Sequence, residues 1–373
     1  MASTLTTPQL NKLRDLVLAL IDQEKARILV APNRPSSGFW FGGGGLARGA
    51  DGTLYLCGRY RNFGDSRTGL AAGERGLECA VFASKDNGAS FSKVASWSKS
   101  DLSYPGGKVL SFEGTSLHQC ADGSWELFVS SEKERPYPDV VKDHLKPGAG
   151  VWNVDVITGP TPEQLDGSTI RPVLEEREDA AYIHIKDPAV YDAADGATEM
   201  IFCSHPFCWS SANSGLARRE PGEDTFRVVT YQMVERGPAW DVAGTRATCR
   251  MRVPRVGEFA EAPPSSILFY DGLECVREHE QNTRGVQRPR GYSCEEISGV
   301  MAGPDDGYPG SLRRISWLHP LFISPWGTGC SRYVDVLAWD EGLFATWQQS
   351  QDDLSQALVG HFLPMADVER ILS

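Results

Sequence analysis

The chain has 373 residues, of which 41% are hydrophobic and 23% charged, with mean hydropathy −0.31. A formal net charge of −12 and a pI near 5.1 argue against nucleic acid and anionic membranes as partners. No apolar run approaches the ~20 residues that span a bilayer, so a membrane-embedded helical protein is also excluded.

The chain opens with "MASTLTTPQLNKLRDLVLALIDQEKARI". It lacks an early basic segment, and Arg14, Asp15 and Asp22 interrupt its apolar residues, so it does not read as a secretory signal. It reads as a helix over 1–25, with Thr7 as N-cap, Pro8 at the first helical position, and Leu10, Leu13, Val17 and Leu20 on one face. Nine cysteines, an odd count with no CxxC pair, fall mostly in apolar runs. Buried reduced thiols, a cytoplasmic location and no metal or other cofactor are expected.

After a strand-like "ARILVAP" comes a unit that repeats. Asp-Gly or Glu-Gly turns lie between two apolar runs in "LARGADGTLYLCG", "LHQCADGSWELFV", "AVYDAADGATEMIFC", "SILFYDGLECV" and "VDVLAWDEGLFATW". The turn glycines Gly52, Gly123, Gly196, Gly272 and Gly342 are 71, 73, 76 and 70 residues apart. Near-equal spacing of one hairpin unit marks a repeat architecture. With the weaker strand candidates that follow, such as "VWNVDVITG" after the second turn and "FRVVTYQMV" and "ATCRMRV" after the third, each period holds about four strands, the content of a propeller blade. The expected fold is all-β: a five-bladed β-propeller over 26–373 preceded by a short N-terminal helix. "ARILVAP" is expected to complete the last blade and so remove a sheet edge. "SKDNGASF" fits the β-turn pattern of propeller Asp-boxes.

The first strand of a blade lines the axis, so residues nine to eleven positions ahead of each turn glycine should cluster at one mouth. Those positions hold the Gly42–Gly45 run, Glu113, Asp187, Glu261 and Arg332. Three adjacent blades would thus present carboxylates at one level, in the contexts "SFEGTSL", "IKDPAVY" and "AEAPPSSIL". Trp40 beside the glycine run could stack on a sugar, and His118 and His184 lie near the expected mouth. Asp65 stands among Arg59, Arg61 and Arg67 in a loop that could contact an anionic group.

This pattern resembles the five-bladed propeller glycosidases of the clan containing glycoside hydrolase family 43, with relatives in families 32, 62, 68, 117 and 130. "KDPAVY" resembles the Asp-Pro that orients the acid in those enzymes, and "EAPP" resembles the context of the acid. The resemblance implies a glycoside hydrolase acting on short oligosaccharides, exo-acting and inverting, with arabinofuranosides as a candidate substrate. It implies Glu261 as proton donor, Asp187 as its modulator and Glu113 as the base. Glu113 departs from the usual Asp, and Asp65 is the alternative base. Arg332 would offset charge or bind a hydroxyl. The arginines near Asp65 keep a phosphorylase or transferase open, and the Glu at the base position keeps a non-catalytic sugar-binding propeller open.

Overall fold

The computed structural model describes residues 4–62, 75–273 and 296–373. Among these, strands predominate and fall into antiparallel meanders of four, the arrangement of a β-propeller. One sheet runs β7 (Val109–Gln119), β8 (Trp125–Lys133), β9 (Val151–Gly159) and β10 (Asp166–Leu174). The next holds β11 (His184–Asp192), β12 (Thr198–His205), β13 (Asn213–Arg219) and β14 (Arg227–Val234). A third holds β15 (Gly244–Arg252), β16 (Ser265–Leu273), β17 (Glu296–Pro304) and β18 (Arg313–Arg314).

The remaining strands form one nine-stranded sheet made of two such meanders. The first is β3 (Leu46–Arg48), β4 (Leu54–Arg61), β5 (Glu78–Ser84) and β6 (Ser92–Ser98). The second is β19 (Ser331–Trp339), β20 (Gly342–Ser350), β21 (Gln356–Pro364) and β1 (Arg27–Val30). Strand β2 (Trp40–Gly42) joins them, parallel to β21 and antiparallel to β4. "ARILVAP" therefore does pair with the last strand of the chain, with Arg27 opposite Gly360 and Ile28 opposite Val359. The innermost strands touch in the order β3, β7, β11, β15, β19 and back to β3.

Gly52, Gly123 and Gly196 sit in the hairpins that follow β3, β7 and β11, each with φ of 86° or 87°, a left-handed conformation that favours glycine. Gly342 opens β20 after the corresponding turn. Gly272 does not fit. It lies inside β16, opposite Thr245 of β15, and the equivalent hairpin is the longer connection 253–264 with Pro254, Pro263 and Pro264. The sequence reading was therefore one strand out of phase in this blade: "ATCRMRV", taken as the last strand of one repeat, is the innermost strand of the next.

The Asp-box expectation holds as a turn. Asp86 accepts from Ser84 Oγ at 2.7 Å and Ser90 N at 2.9 Å, fixing the β5–β6 hairpin. Helix α1 (Thr7–Leu20) is capped by Thr6 rather than Thr7, through a capping box with Gln9, and Pro8 is its second residue. Leu13, Leu16, Val17 and Leu20 are fully buried against β20, β21 and the C-terminal helix α2 (Met365–Leu372), which the sequence reading did not anticipate. Of the cysteines described, Cys57, Cys79, Cys203, Cys249 and Cys330 are buried, Cys208 is exposed, and all seven are free. No helix among the described residues is long and apolar enough to cross a membrane.

Because α1 fills one end of the largest apolar cluster, Leu16→Ala should cost about 2–5 kcal/mol of unfolding free energy. Chemical denaturation of the two proteins measures it, and a loss below ~1 kcal/mol would mean that the helix is only loosely docked.

Candidate active site at the axial mouth

Each of the four long innermost strands breaks register at the same level. The shifts lie between Phe112 and Thr115 in β7, Lys186 and Ala189 in β11, Ala247 and Cys249 in β15, and Arg332 and Asp335 in β19. A bulge leaves a residue unpaired and re-aims its side chain. Here the re-aimed residues are Glu113, Asp187 and Tyr333, the last two with φ of +57° and +54°. Such left-handed geometry costs about 1–3 kcal/mol for a residue with a side chain, so the surroundings must enforce it. The glycines at this level are explained by crowding. A Cβ on Gly44 would lie 1.8 Å from Cys57 O, and one on Gly114 would lie 2.6 Å from Asp187 Cα.

Glu113 and Asp187 do come together. The Tyr333 hydroxyl lies 3.3 Å from Glu113 Oε1 and 3.4 Å from Asp187 Oδ1, bridging the two. Asp187 also accepts from Gly114 N at 2.9 Å and faces Arg246 Nη1 at 3.5 Å. Glu113 accepts from Arg59 Nη2 at 3.1 Å, and its side chain retains 15% of its exposure. Burial alone would raise its pKa, but attraction from Arg59, Lys186, Arg61 and Arg332 prevails and holds it well below the usual carboxylate range.

Glu261 does not join them. It is exposed, in the connection that leaves the far end of β15, beyond Arg252, whereas the mouth lies at the Gly244 end. At the mouth the fourth blade presents Arg246 instead. Its guanidinium reaches Asp271 Oδ2 at 2.7 Å and Glu296 Oε2 at 2.9 Å, and stacks 3.8 Å from the Tyr333 ring centre. Asp271 and Glu296, from the end of β16 and the start of β17, are the carboxylates the sequence reading missed. Burial raises the Asp271 pKa, and Arg246 opposes that shift. Both Asp271 oxygens are occupied, by Ser298 Oγ, Tyr333 N and Arg246. The signal that could have found them is the "YDG" at 270–272, read as a turn and in fact a strand end facing the axis.

Arg332 is buried, ion-paired to Glu296, bonded to Gln356 Oε1 at 3.0 Å, and lies over Trp40 at 4.7 Å. Trp40 is 2% exposed, with Arg61 4.3 Å from its ring, so it is a wall residue and not a sugar platform. His184 is also buried. Its Nε2 meets Tyr137 Oη at 2.9 Å, and burial, with Lys186 nearby, lowers its pKa to about 3. Asp65 and Arg67 lie outside the described residues.

His118 is not at the mouth either. It sits beside the Gly123 hairpin, at the other end of β7, between Glu126 Oε2 at 3.1 Å and Asp192 Oδ1 at 3.0 Å. Burial opposes its charge, but contacts with Cys120, Glu126 and Asp192 raise its pKa to about 10. Cys120, His118 and Glu126 lie close enough together to invite a metal. Glu126, however, spends both oxygens on Arg219, at 2.7 and 2.6 Å, which makes this an ion-pair chain between blades.

No family model and no curated protein matches the chain. Its fold does match solved structures. The GH43_1 enzyme from Xanthomonas citri, complexed with xylotriose, superposes with a TM-score of 0.53 at 13% identity, covering 95% of this chain and 93% of the other. The endo-arabinase from Bacteroides thetaiotaomicron gives 0.51 at 11% identity, covering 91% and 97%. The α-L-arabinofuranosidase from Lactobacillus brevis gives 0.52 at 12% identity, covering 89% and 92%. The chain thus has the β-propeller fold found in family-43 glycoside hydrolases, the group that its Asp-Pro motif resembles.

Two outcomes are expected of this geometry. Arg246→Met should cost about 3–5 kcal/mol, because it leaves Asp271 buried without its cation and Glu296 with Arg332 alone; denaturant titration reports it. The His118 chain predicts a pH signature. A folded pKa of about 10, above the unfolded ~6.5, gives stability that is complete below pH ~6.5 and lost as pH rises toward 10. His118→Gln should flatten the decline of melting temperature across that window, and an unchanged slope would count against the charged histidine.

Proposed function

We propose that this chain is a five-bladed propeller that cleaves glycosidic bonds in short oligosaccharides, with Glu113 as the ionised carboxylate at the axial mouth. The observation that carries this reading is the Glu113–Tyr333–Asp187 bridge, set by three bulged innermost strands at the level where the ring is open. Four cations hold Glu113 in its charged form, which is what activation of a water or attack on an anomeric carbon requires. Tyr333 and the Gly114 amide fix Asp187 beside it, and Asp187 in turn faces Arg246 Nη1 at 3.5 Å. The fold shared with a GH43_1 enzyme solved with xylotriose, an endo-arabinase and an α-L-arabinofuranosidase supports the same class.

Glu261 has no part in this proposal. Among the described residues, the carboxyl groups that share the mouth with Glu113 are committed to other partners, Asp187 to Gly114 N, Tyr333 and Arg246. Asp271 is saturated, and Glu296 accepts from Arg246 and Arg332. The same observation favours a second reading, a sugar-binding propeller without turnover, in which Arg246 occupies the place of the expected third acid.

Aryl glycosides separate the two readings. With a substrate whose leaving group needs little protonation, the wild type should turn over, and Glu113→Gln should lose on the order of 10²–10⁴ in kcat/KM. Glu261→Gln should stay within about twofold of wild type, given its distance along β15 from the mouth. Sugar binding with no turnover of any activated glycoside would establish the binding reading. Because the folded pKa of Glu113 is depressed, the base stays charged as pH falls. The acid limb of kcat/KM assigned to this residue should lie below pH ~4, and a limb at 5–6 that vanishes in Glu113→Gln would contradict the assignment.

A further inference from the structure

Beside Glu113, the wall between the second and third blades carries a cation whose pairing is incomplete. The Lys186 side chain is only 9% exposed, and its nearest carboxylate oxygen, Asp187 Oδ2, is 3.7 Å away. Among the described residues its ammonium makes no hydrogen bond, although it has three protons to donate. Asp187 is already shared among Gly114 N, Tyr333 and Arg246, so it satisfies little of that demand. The other mouth cations are better matched: Arg59 to Glu113 and Gly42 O, Arg246 to Asp271 and Glu296, and Arg332 to Glu296 and Gln356.

Two aromatic faces flank this ammonium. The Trp152 and Trp209 ring centres each lie 5.6 Å from Lys186 Nζ. Trp152 is buried in β9, but Trp209 is partly exposed and has φ of +57°, a conformation that a bulky residue avoids unless held. Its ring stacks on His184 at 4.2 Å and packs against His205 at 4.7 Å, and His184 is itself bonded to Tyr137. An aromatic plane propped at a cost, 5.6 Å from an under-coordinated ammonium, has the parts of a sugar subsite that also reads charge.

We infer that Lys186 and Trp209 form a subsite for an acidic sugar, a hexuronic acid whose ring stacks on Trp209 and whose carboxylate pairs with Lys186. The inference rests on the reading of the mouth as a glycoside-cleaving site. A monoanion suits the place better than a phosphate dianion, because Glu113 and Asp187 stand within the same group of charges and a chain of net charge −12 repels multiply charged ligands.

Matched aryl glycosides that differ only at C6, galacturonide against galactoside and glucuronide against glucoside in both anomers, test it on the full-length protein. Wild type should prefer the uronide at least tenfold in kcat/KM. Lys186→Met should lower the uronide-to-neutral ratio at least tenfold, while Lys186→Arg should restore part of it. Trp209→Ala should raise KM for both members of a pair without moving the ratio. A wild-type preference for the neutral sugar, or a ratio unchanged in Lys186→Met, would overturn the inference and leave the glycosidase reading standing. Tryptophan fluorescence with galacturonic and glucuronic acids covers the case in which nothing is cleaved. Quenching in wild type that is lost in Lys186→Met would keep the subsite and remove the hydrolase. No quenching would remove both. Cleavage that depends on added inorganic phosphate, with no preference for uronides, would assign the cation to phosphate and also overturn the inference.

Discussion

The Arg246 guanidinium, stacked on Tyr333 and shared among three carboxylates, is the interaction on which the mouth of this propeller depends. Innermost strands that converge on an axis bring their side chains into a space too narrow for water to solvate each charge separately. Charges placed there must satisfy one another, and a carboxylate left alone would be neutralised or expelled. Arg246 meets that requirement for Asp187 from the third blade and for Asp271 and Glu296 from its own. Its flat face positions Tyr333, and Tyr333 carries the arrangement on to Glu113. One buried cation thus reaches, through a single ring, the one carboxylate that keeps some contact with solvent.

The backbone is adapted to the same end. Register shifts at equivalent levels in β7, β11, β15 and β19 turn side chains toward the axis that a regular ladder would direct into the sheet-to-sheet packing. Asp187 and Tyr333 accept left-handed φ values, and in return Tyr333 N–H reaches the Asp271 carboxylate and Tyr333 Oη reaches two acids at once. Gly44 and Gly114 provide the room, since a Cβ at either would collide with a neighbouring strand. Strain and ion pairing are coupled here, because the pairs hold the strained residues in place and the strain aims the pairs.

The mouth is rich in cations. Glu113 is surrounded by Arg59, Arg61, Lys186 and Arg332, and the level at which a third acid was expected carries Arg246. An excess of positive groups in a narrow opening of an acidic protein focuses the local field, while the rest of the surface repels anions. Such a field favours an anion at the mouth, and the inferred subsite places it at Lys186, 5.6 Å from each of two indole rings.

The architecture was legible in the sequence because a blade announces itself locally. Turn glycines and alternating strands recur at a fixed spacing, and a strand without a hairpin partner near the start implies ring closure at the end. Glu113 and Asp187 were legible for the same reason, since they stand ten and nine residues ahead of their own turn glycines, Gly123 and Gly196. That logic failed where one hairpin lost its marker. The β15–β16 connection is longer and proline-bearing, so the Asp-Gly at 271–272 imitated a turn and displaced the third acid to the exposed Glu261. His118 was misplaced because a period of two tells which face a residue occupies and not which end of the ring it reaches, and Trp40 because only the packing of Arg61 and Arg332 over its ring shows that it is buried. Arg246, Tyr333, Asp271 and Glu296 could come only from the tertiary structure. They are separated by up to 87 residues in sequence, and only closure of the ring makes their charges share one desolvated space.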